Sequence, residues 1–384
     1  MKLALIGPVY PYRGGIAHHT TRLAQTLAEH HAVRVISFRR QYPRWLYPGQ
    51  SDQDPSQHSM RFPADYILDP FYPWTWWQCV QTLIQFAPDA VVVQWWIPFW
   101  GLAFAVVTRL LQRTSLRVIF IIHNVLPHEP RWWDVWLARL VLQQGGAFVV
   151  QSARERTRLL TLLPHAEVQL CPLPVFDIFV GQRWAKLEAR RHLQLPETTP
   201  VVLFFGLVRP YKGLKYLIEA LAHLRDQGYG HSLVVAGEFW ENPAVYKAQI
   251  QQLGLNEQVR LLPYYIPNEE VGLIFSAADM LVAPYETATQ SGVIKLALGF
   301  GLPVITTRVG GSEELEAWVE AGWVQLVAPK DSMALAIAMV ERWQMDWPAQ
   351  GKVADPVTQD WGHLGATIED LLTRTLPRHK QRHR

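Results

Sequence analysis

Arg209 and Lys212 stand three residues apart in the run Phe205-Gly206-Leu207-Val208-Arg209-Pro210-Tyr211-Lys212-Gly213, between an apolar stretch and a helical one. A guanidinium can fork onto two oxygens and an ammonium adds a point charge, so the pair suits a diphosphate. Thr289, Gln290, Ser291 and Gly292 follow a second apolar run, 280–283. They precede the buried-helix pattern Val293, Ile294, Leu296, Ala297, Leu298 and Phe300. Such a loop leaves backbone N–H groups at a helix start, where the dipole favours an anion, and the hydroxyls of Thr289 and Ser291 add donors. Taken singly, a Ser/Thr loop is an ordinary helix cap and a basic turn is an ordinary solvated surface. The chemistry becomes specific only if the fold brings both to one rim.

Periodicity supplies the elements. Short apolar runs at 3–6, 33–38, 90–93, 116–122 and 147–150 alternate with helical patterns opening at Gly14-Gly15, at 74–86, 102–111 and 132–142, and from 152. Alternation restarts after residue 182, with strands at 201–205, 232–236, 259–262, 280–283, 303–306 and 324–327. Strands alternating with helices imply parallel sheets covered on both faces. The predicted fold class is α/β, with two Rossmann-like doubly wound domains facing across a cleft. Their boundaries are 1–172 and 183–355, with a Pro-rich linker at 173–182 and a C-terminal helix and basic tail at 356–384. Residues 41–66 lack a period and read as a long loop. In open parallel sheets, ligands bind beyond the carboxyl ends of the strands. Those ends carry Gly14-Gly15, Gln94-Trp95-Trp96, His123-Asn124 and His128-Glu129 in the first half. In the second they carry 206–213, Gly237-Glu238, 263–266, 286–291 and Gly310-Gly311.

The totals narrow the class. The chain has 384 residues and a net charge of +3, which gives no case for nucleic acid. Cys79 and Cys171 are the only cysteines, so no disulfide framework or cysteine-rich metal site is encoded. No apolar stretch approaches the roughly 20 residues that cross a bilayer. The expected setting is the cytoplasm, with the inner face of the membrane as a second location. Asp52-Gln53-Asp54 matches a DxD metal motif but falls in the aperiodic loop, and His123, His128 and Glu129 flank Pro127 in poor chelate geometry. No metal is expected. His18 and His19, adjacent on a helix, face apart. Of 17 Trp, ten precede residue 140. Trp74, Trp76, Trp77 and Trp132, Trp133, Trp136 read as core. Trp95, Trp96 and Trp100 lie at a strand end, where indoles can shape a ligand site.

Residues 205–213, Val235-Ala236-Gly237, 284–304 and Val309-Gly310-Gly311-Ser312-Glu313-Glu314 resemble the nucleotide-sugar half of family 4 glycosyltransferases, which have the GT-B architecture. The resemblance is strong over 200–315 and looser before 175. It implies a retaining transferase that uses a nucleotide-diphosphate sugar as co-substrate and no cofactor. The acceptor would be a glycan or lipid-linked acceptor in polysaccharide or cell-envelope assembly, and Trp95, Trp96 and Trp100 would shape its site by stacking sugar rings or accepting a lipid carrier. Arg209 and Lys212 would bind the donor diphosphate, with Thr289, Gln290, Ser291 and Gly292 at the distal phosphate. His123 would touch the transferred sugar, with Gly15 and Glu286 near the donor, and Tyr264, Tyr265 and Ile266 would frame the base. The family's two Glu, seven residues apart, fall here on Ala288 and Leu296, and Asn124 replaces an Asp often found after the His. That departure leaves the ribose unassigned, and admits a non-catalytic nucleotide-sugar-binding or partner subunit as the alternative. An NAD enzyme is disfavoured because no G-x-G-x-x-G is present.

Overall fold

Runs such as Leu-Ala-Leu-Ile and Val-Val-Leu-Phe-Phe have apolar side chains on both strand faces, which suits only a sheet covered on both sides. The computed structural model describes every residue except 44, 46, 48, 50, 58, 59, 115, 128–130, 289, 346–359 and 375–384. It divides into two units, each built on one parallel sheet. Met1–Asp54, Met60–Pro174 and Gln359–Arg384 form the first, Pro55–Ser59 and Val175–Thr358 the second.

In the first unit the strands are β1 (Lys2–Ile6), β2 (Ala32–Phe38), β3 (Ala64–Leu68), β4 (Ala90–Trp95), β5 (Arg117–Ile122), β6 (Ala147–Val150) and β7 (Val168–Leu170). They pair in the order β3-β2-β1-β4-β5-β6-β7. The crossover helices are α1 (Gly15–Ala28), α2 (Pro73–Phe86), α3 (Gly101–Gln112), α4 (Trp132–Leu142) and α5 (Ala153–Leu162). The C-terminal helix, Trp361–Arg374, returns to this unit and packs on α1 through buried Trp361, Leu364, Ile368 and Leu371, a helical repeat. Sequence periodicity missed β3 and β7. Both are edge strands, short and only partly buried, so their neighbour's backbone defines them more than their own side chains do.

The second unit contains β8 (Val201–Phe205), β9 (Ser232–Ala236), β10 (Val259–Leu262), β11 (Met280–Ala283), β12 (Val304–Thr307) and β13 (Val324–Val327), in the order β10-β9-β8-β11-β12-β13. Its helices are α6 (Lys186–His192), α7 (Leu214–Asp226), α8 (Pro243–Gln252), α9 (Asn268–Ala277), α10 (Gly292–Gly299), α11 (Glu316–Glu320) and α12 (Ser332–Gln344). Strand order reverses between β1 and β4 in one sheet and between β8 and β11 in the other. These are the points where helices diverge to opposite faces and leave a crevice.

At the other end of the second sheet, Asp279 clamps α6. Its carboxylate accepts from Lys186 Nζ at 2.9 Å, from the Val201 N–H at 2.7 Å and from the buried Arg190 guanidinium. Asp279→Ala leaves that buried charge with only the Ala277 and Glu197 carbonyls as acceptors and should cost about 3 kcal/mol. Urea unfolding measures this, and a loss under 1 kcal/mol would show that the clamp is not structural.

Candidate active site

The turn after β8 is shaped by close backbone approaches. Gly206 has φ +98° and Gly237, at φ +153°, lies so near that a Cβ there would stand 1.9 Å from Gly206 O. Gly213 closes the turn at φ +70°, its place for a Cβ 2.0 Å from Pro284 O. The Glu286 N–H donates to Tyr211 O at 2.7 Å. The Arg209–Lys212 turn is thus fastened to the β11–α10 loop at the switch point of the sheet.

The two stretches first considered apart therefore converge. A methyl on Gly206 would stand 3.4 Å from Lys212 Nζ and 3.3 Å from Val293 Cγ2 in the first turn of α10. Lys212 Nζ lies 5.4 Å from the centre of the Tyr285 ring, and Tyr285 Oη is 3.1 Å from Ser291 Oγ. Ser291 caps α10 by accepting the Ile294 N–H at 3.3 Å. Arg209 lies over the Trp240 ring at 4.5 Å, while Trp240 Nε1 donates to buried Glu238 at 2.9 Å, which fixes the platform. Among the described residues, neither Arg209 nor Lys212 forms an ion pair. Burial lowers the Lys212 pKa and the Arg209 charge lowers it further, against an opposing effect of Tyr211. An arriving anion would relieve that cost. Gln290 adds a buried amide, Nε2, with no hydrogen-bond partner among the described residues. Thr289 lies outside the described residues.

Glu286 is held by two lysines, Lys330 Nζ at 3.0 Å and Lys215 Nζ at 3.3 Å. Burial raises its pKa, but the two ammonium hydrogen bonds outweigh that and the net shift is downward. Of the three residues expected at the base, Ile266 is buried and Tyr265 half-buried. Tyr264 is exposed, its hydroxyl 2.9 Å from Glu270.

In the first unit, Gly14 takes φ +105°, and a Cβ on Gly14 or Gly15 would meet nothing within 4 Å, so the loop before α1 stands open. Asp52–Asp54 lies beside it as backbone: the Arg13 N–H donates to Asp52 O at 3.0 Å and the Asp54 N–H to Pro11 O at 2.7 Å. His123 follows β5, with Nε2 2.7 Å from Gln94 Oε1. With that oxygen as acceptor, Nε2 carries the proton and Nδ1 keeps its lone pair. His19, on α1, meets the His123 ring edge-on at 4.7 Å and is bonded to Gln151 at 2.8 Å. Sequence reading noted His19 only as a helix neighbour of His18 and passed over Gln151, because an α1 face and a residue just past β6 become neighbours of His123 only in the folded sheet. His128 and Glu129 lie outside the described residues.

Trp95 and Trp100 correct the acceptor expectation. Both are fully buried. Trp95 Nε1 donates to Val125 O at 3.2 Å, and buried Glu155 accepts the Val125 N–H at 2.6 Å, so together they hold the loop after His123. Trp100 stacks on Phe104 at 5.7 Å inside the α3 layer. Only Trp96 keeps partial exposure, its Nε1 donating to Tyr42 Oη at 2.7 Å.

Burial pushes the His123 pKa from 6.5 down to about 4, against a hydrogen bond with Gln151, and holds His19 well below its usual value too. A depressed histidine costs nothing above pH 6.5. Stability is lost as pH falls from 6.5 toward 4, where the unfolded chain binds the proton first. His123 alone should remove about 3 kcal/mol across that window. Denaturant unfolding from pH 7 to 4 should show this slope, shallower in His123→Asn. Equal slopes would mean that His123 is not buried neutral.

Residues 14–174 match the family model described as "Glycosyl transferase 4-like domain", and 199–344 match "Glycosyl transferases group 1". The chain belongs to the family 4 glycosyltransferases of the GT-B fold. This glycosyltransferase is 27% identical over 259 residues to a GDP-mannose:glycolipid 4-beta-D-mannosyltransferase of Xanthomonas campestris pv. campestris, covering 66% of its own chain and 68% of the relative. It is 32% identical over 159 residues to a D-inositol 3-phosphate glycosyltransferase of Corynebacterium glutamicum, covering 40% and 36%. Among solved structures, sucrose-phosphate synthase from Thermosynechococcus elongatus superposes with TM-score 0.69 at 19% identity, over 97% of this chain and 98% of that one. Anabaena HepE in complex with UDP-glucose gives 0.67 at 18%, over 98% and 99%. At such identities these structures establish the fold. The glycosyltransferase thus carries hexosyl-transfer chemistry on two doubly wound units.

Proposed function

We propose that the enzyme moves a hexosyl group, without a metal, from a nucleotide-diphosphate sugar to a glycan or lipid-linked acceptor in polysaccharide or cell-envelope assembly. The observation carrying this reading is that Lys212, beside Arg209, lies at Gly206 and the first turn of α10, with the Gln290 amide unpartnered among the described residues. As the sugar–phosphate bond breaks, negative charge grows on the departing diphosphate and positive charge on the sugar. Arg209, Lys212 and the α10 amides oppose the first charge where it develops. His123, held neutral by burial, suits a hydroxyl of the transferred sugar. The glycolipid acceptor for which the Xanthomonas relative is named favours a lipid-linked substrate and contact with the membrane.

Retention of anomeric configuration is the expectation from the family. That relative's name specifies a β-mannosyl product, which from an α-linked donor would mean inversion, so the NMR anomeric signal of the product decides the point. A thermal-shift panel of GDP-, UDP- and ADP-sugars, followed by assay of sugar release, tests the assignment as a whole. One nucleotide class should stabilise the protein and release its sugar. Stabilisation with no release under any acceptor condition would favour a non-catalytic binding subunit, and no stabilisation would remove the donor site.

A further inference from the structure

We propose that the outer surface of α2, α3 and α4 docks on an anionic phospholipid bilayer. Trp74 and Trp77 on α2 are 60% and 56% exposed, Trp132 and Trp136 on α4 76% and 57%, and Leu102 on α3 55%. The helices are almost uncharged: α2 has no ionisable carboxylate or cation, α3 only Arg109, and α4 only Asp134 and Arg139. A soluble surface ordinarily intersperses both signs over about a quarter of its residues.

Topology makes the patch continuous. α3 packs against both α2 and α4, so the three lie side by side on one face of the seven-stranded sheet. Each follows its strand, β3, β4 or β5, so their first two turns, which carry these side chains, stand toward the carboxyl rim. That rim also carries Gln94 and His123.

Charge selects the occupant. Arg40 lies 5.9 Å from the Phe71 ring and 5.6 Å from the Tyr72 ring, and Arg131 lies 5.1 Å from the Trp133 ring. Of the nearby acids Asp69 is buried, 3.2 Å from Arg40, and Asp134, half-buried, accepts the Arg131 N–H at 2.9 Å, so with exposed Arg109 and Arg139 the patch carries more cations than carboxylates. Indoles beside guanidinium groups suit the headgroup level, with apolar bodies in the acyl boundary and cations among phosphates. A second copy docked isologously through this face would instead bring like cations together. No helix among the described residues is long and apolar enough to cross a membrane, so the contact is peripheral. Its purpose, presenting a lipid-linked acceptor at the His123 rim, rests on the proposed function; its occurrence does not.

Co-sedimentation of the full chain with phosphatidylcholine vesicles, with and without phosphatidylglycerol, tests the proposal. The wild type should sediment with the phosphatidylglycerol vesicles, less so at high salt, with a blue shift in indole fluorescence. Trp132→Ser/Trp136→Ser and Trp74→Ser/Trp77→Ser should each weaken binding by roughly tenfold or more, while keeping the wild-type melting temperature and sugar-nucleotide shift. Absence of vesicle binding by the wild type, or unchanged binding in both variants, would overturn it. So would a dimer that the Trp132→Ser/Trp136→Ser variant dissociates in the absence of vesicle binding. Vesicle binding in a protein that transfers no sugar would count against the transferase reading and leave this face intact.

Discussion

Arg209→Ala should lower turnover by on the order of 10²–10³, the loss seen when one preorganised donor to a developing oxyanion is removed. Arg209 makes no ion pair among the described residues, so the change should leave folding close to wild type, less its contact with Trp240. Donor-induced stabilisation, about 2.7 kcal/mol when ligand is present at 100 times Kd, should largely vanish. Arg209→Lys keeps a charge but loses the fork, and belongs between the two. The pH dependence has a definite sign. Lys212 is held below its ordinary value by burial and by Arg209, and a bound diphosphate would favour the ammonium. Donor affinity should therefore weaken as pH rises through the depressed value, and Lys212→Met should flatten that limb. Equal thermal shifts in wild type and Arg209→Ala would remove the phosphate site from this turn.

The second large effect is expected from one methyl group. In Gly213→Ala the new Cβ falls 2.0 Å from the Pro284 carbonyl, on a left-handed backbone. The Pro284 carbonyl is backbone and cannot swing away as a flexible side chain would. The β8–α7 turn must separate from the β11–α10 loop, also straining the Glu286 N–H bond to Tyr211 O. Left-handed backbone costs about 1 kcal/mol and overpacking a further 1–3, so about 3 kcal/mol should be lost together with donor binding. Gly228→Ala is the control. Its φ is +82°, yet a Cβ there meets nothing within 4 Å. It should cost about 1 kcal/mol and leave donor binding unchanged. Equal behaviour of the two variants would show that the close approach does not position Lys212.

What could be read without coordinates was whatever a local pattern encodes. Doubly apolar runs such as 201–205 can only be buried strands, and their alternation with helices fixes two parallel sheets. Ligands of such sheets gather at strand ends, so Arg209, Lys212 and Ser291 could be named together although about 80 residues separate them. The edge strands β3 and β7 escaped because they owe their form to neighbouring backbone. Tryptophan carried no such information. The same indole is core at Trp95, where α3 and the His123 loop cover it, and exposed at Trp132 in the first turn of α4. His19 and Gln151 likewise became visible only when α1 and the end of β6 met beside His123. Sequence determined the layers and the rim, because secondary-structure period and chain alternation are local. Tertiary structure alone decided which polar groups share a dry pocket and which aromatics face water, because burial depends on what packs from elsewhere in the chain.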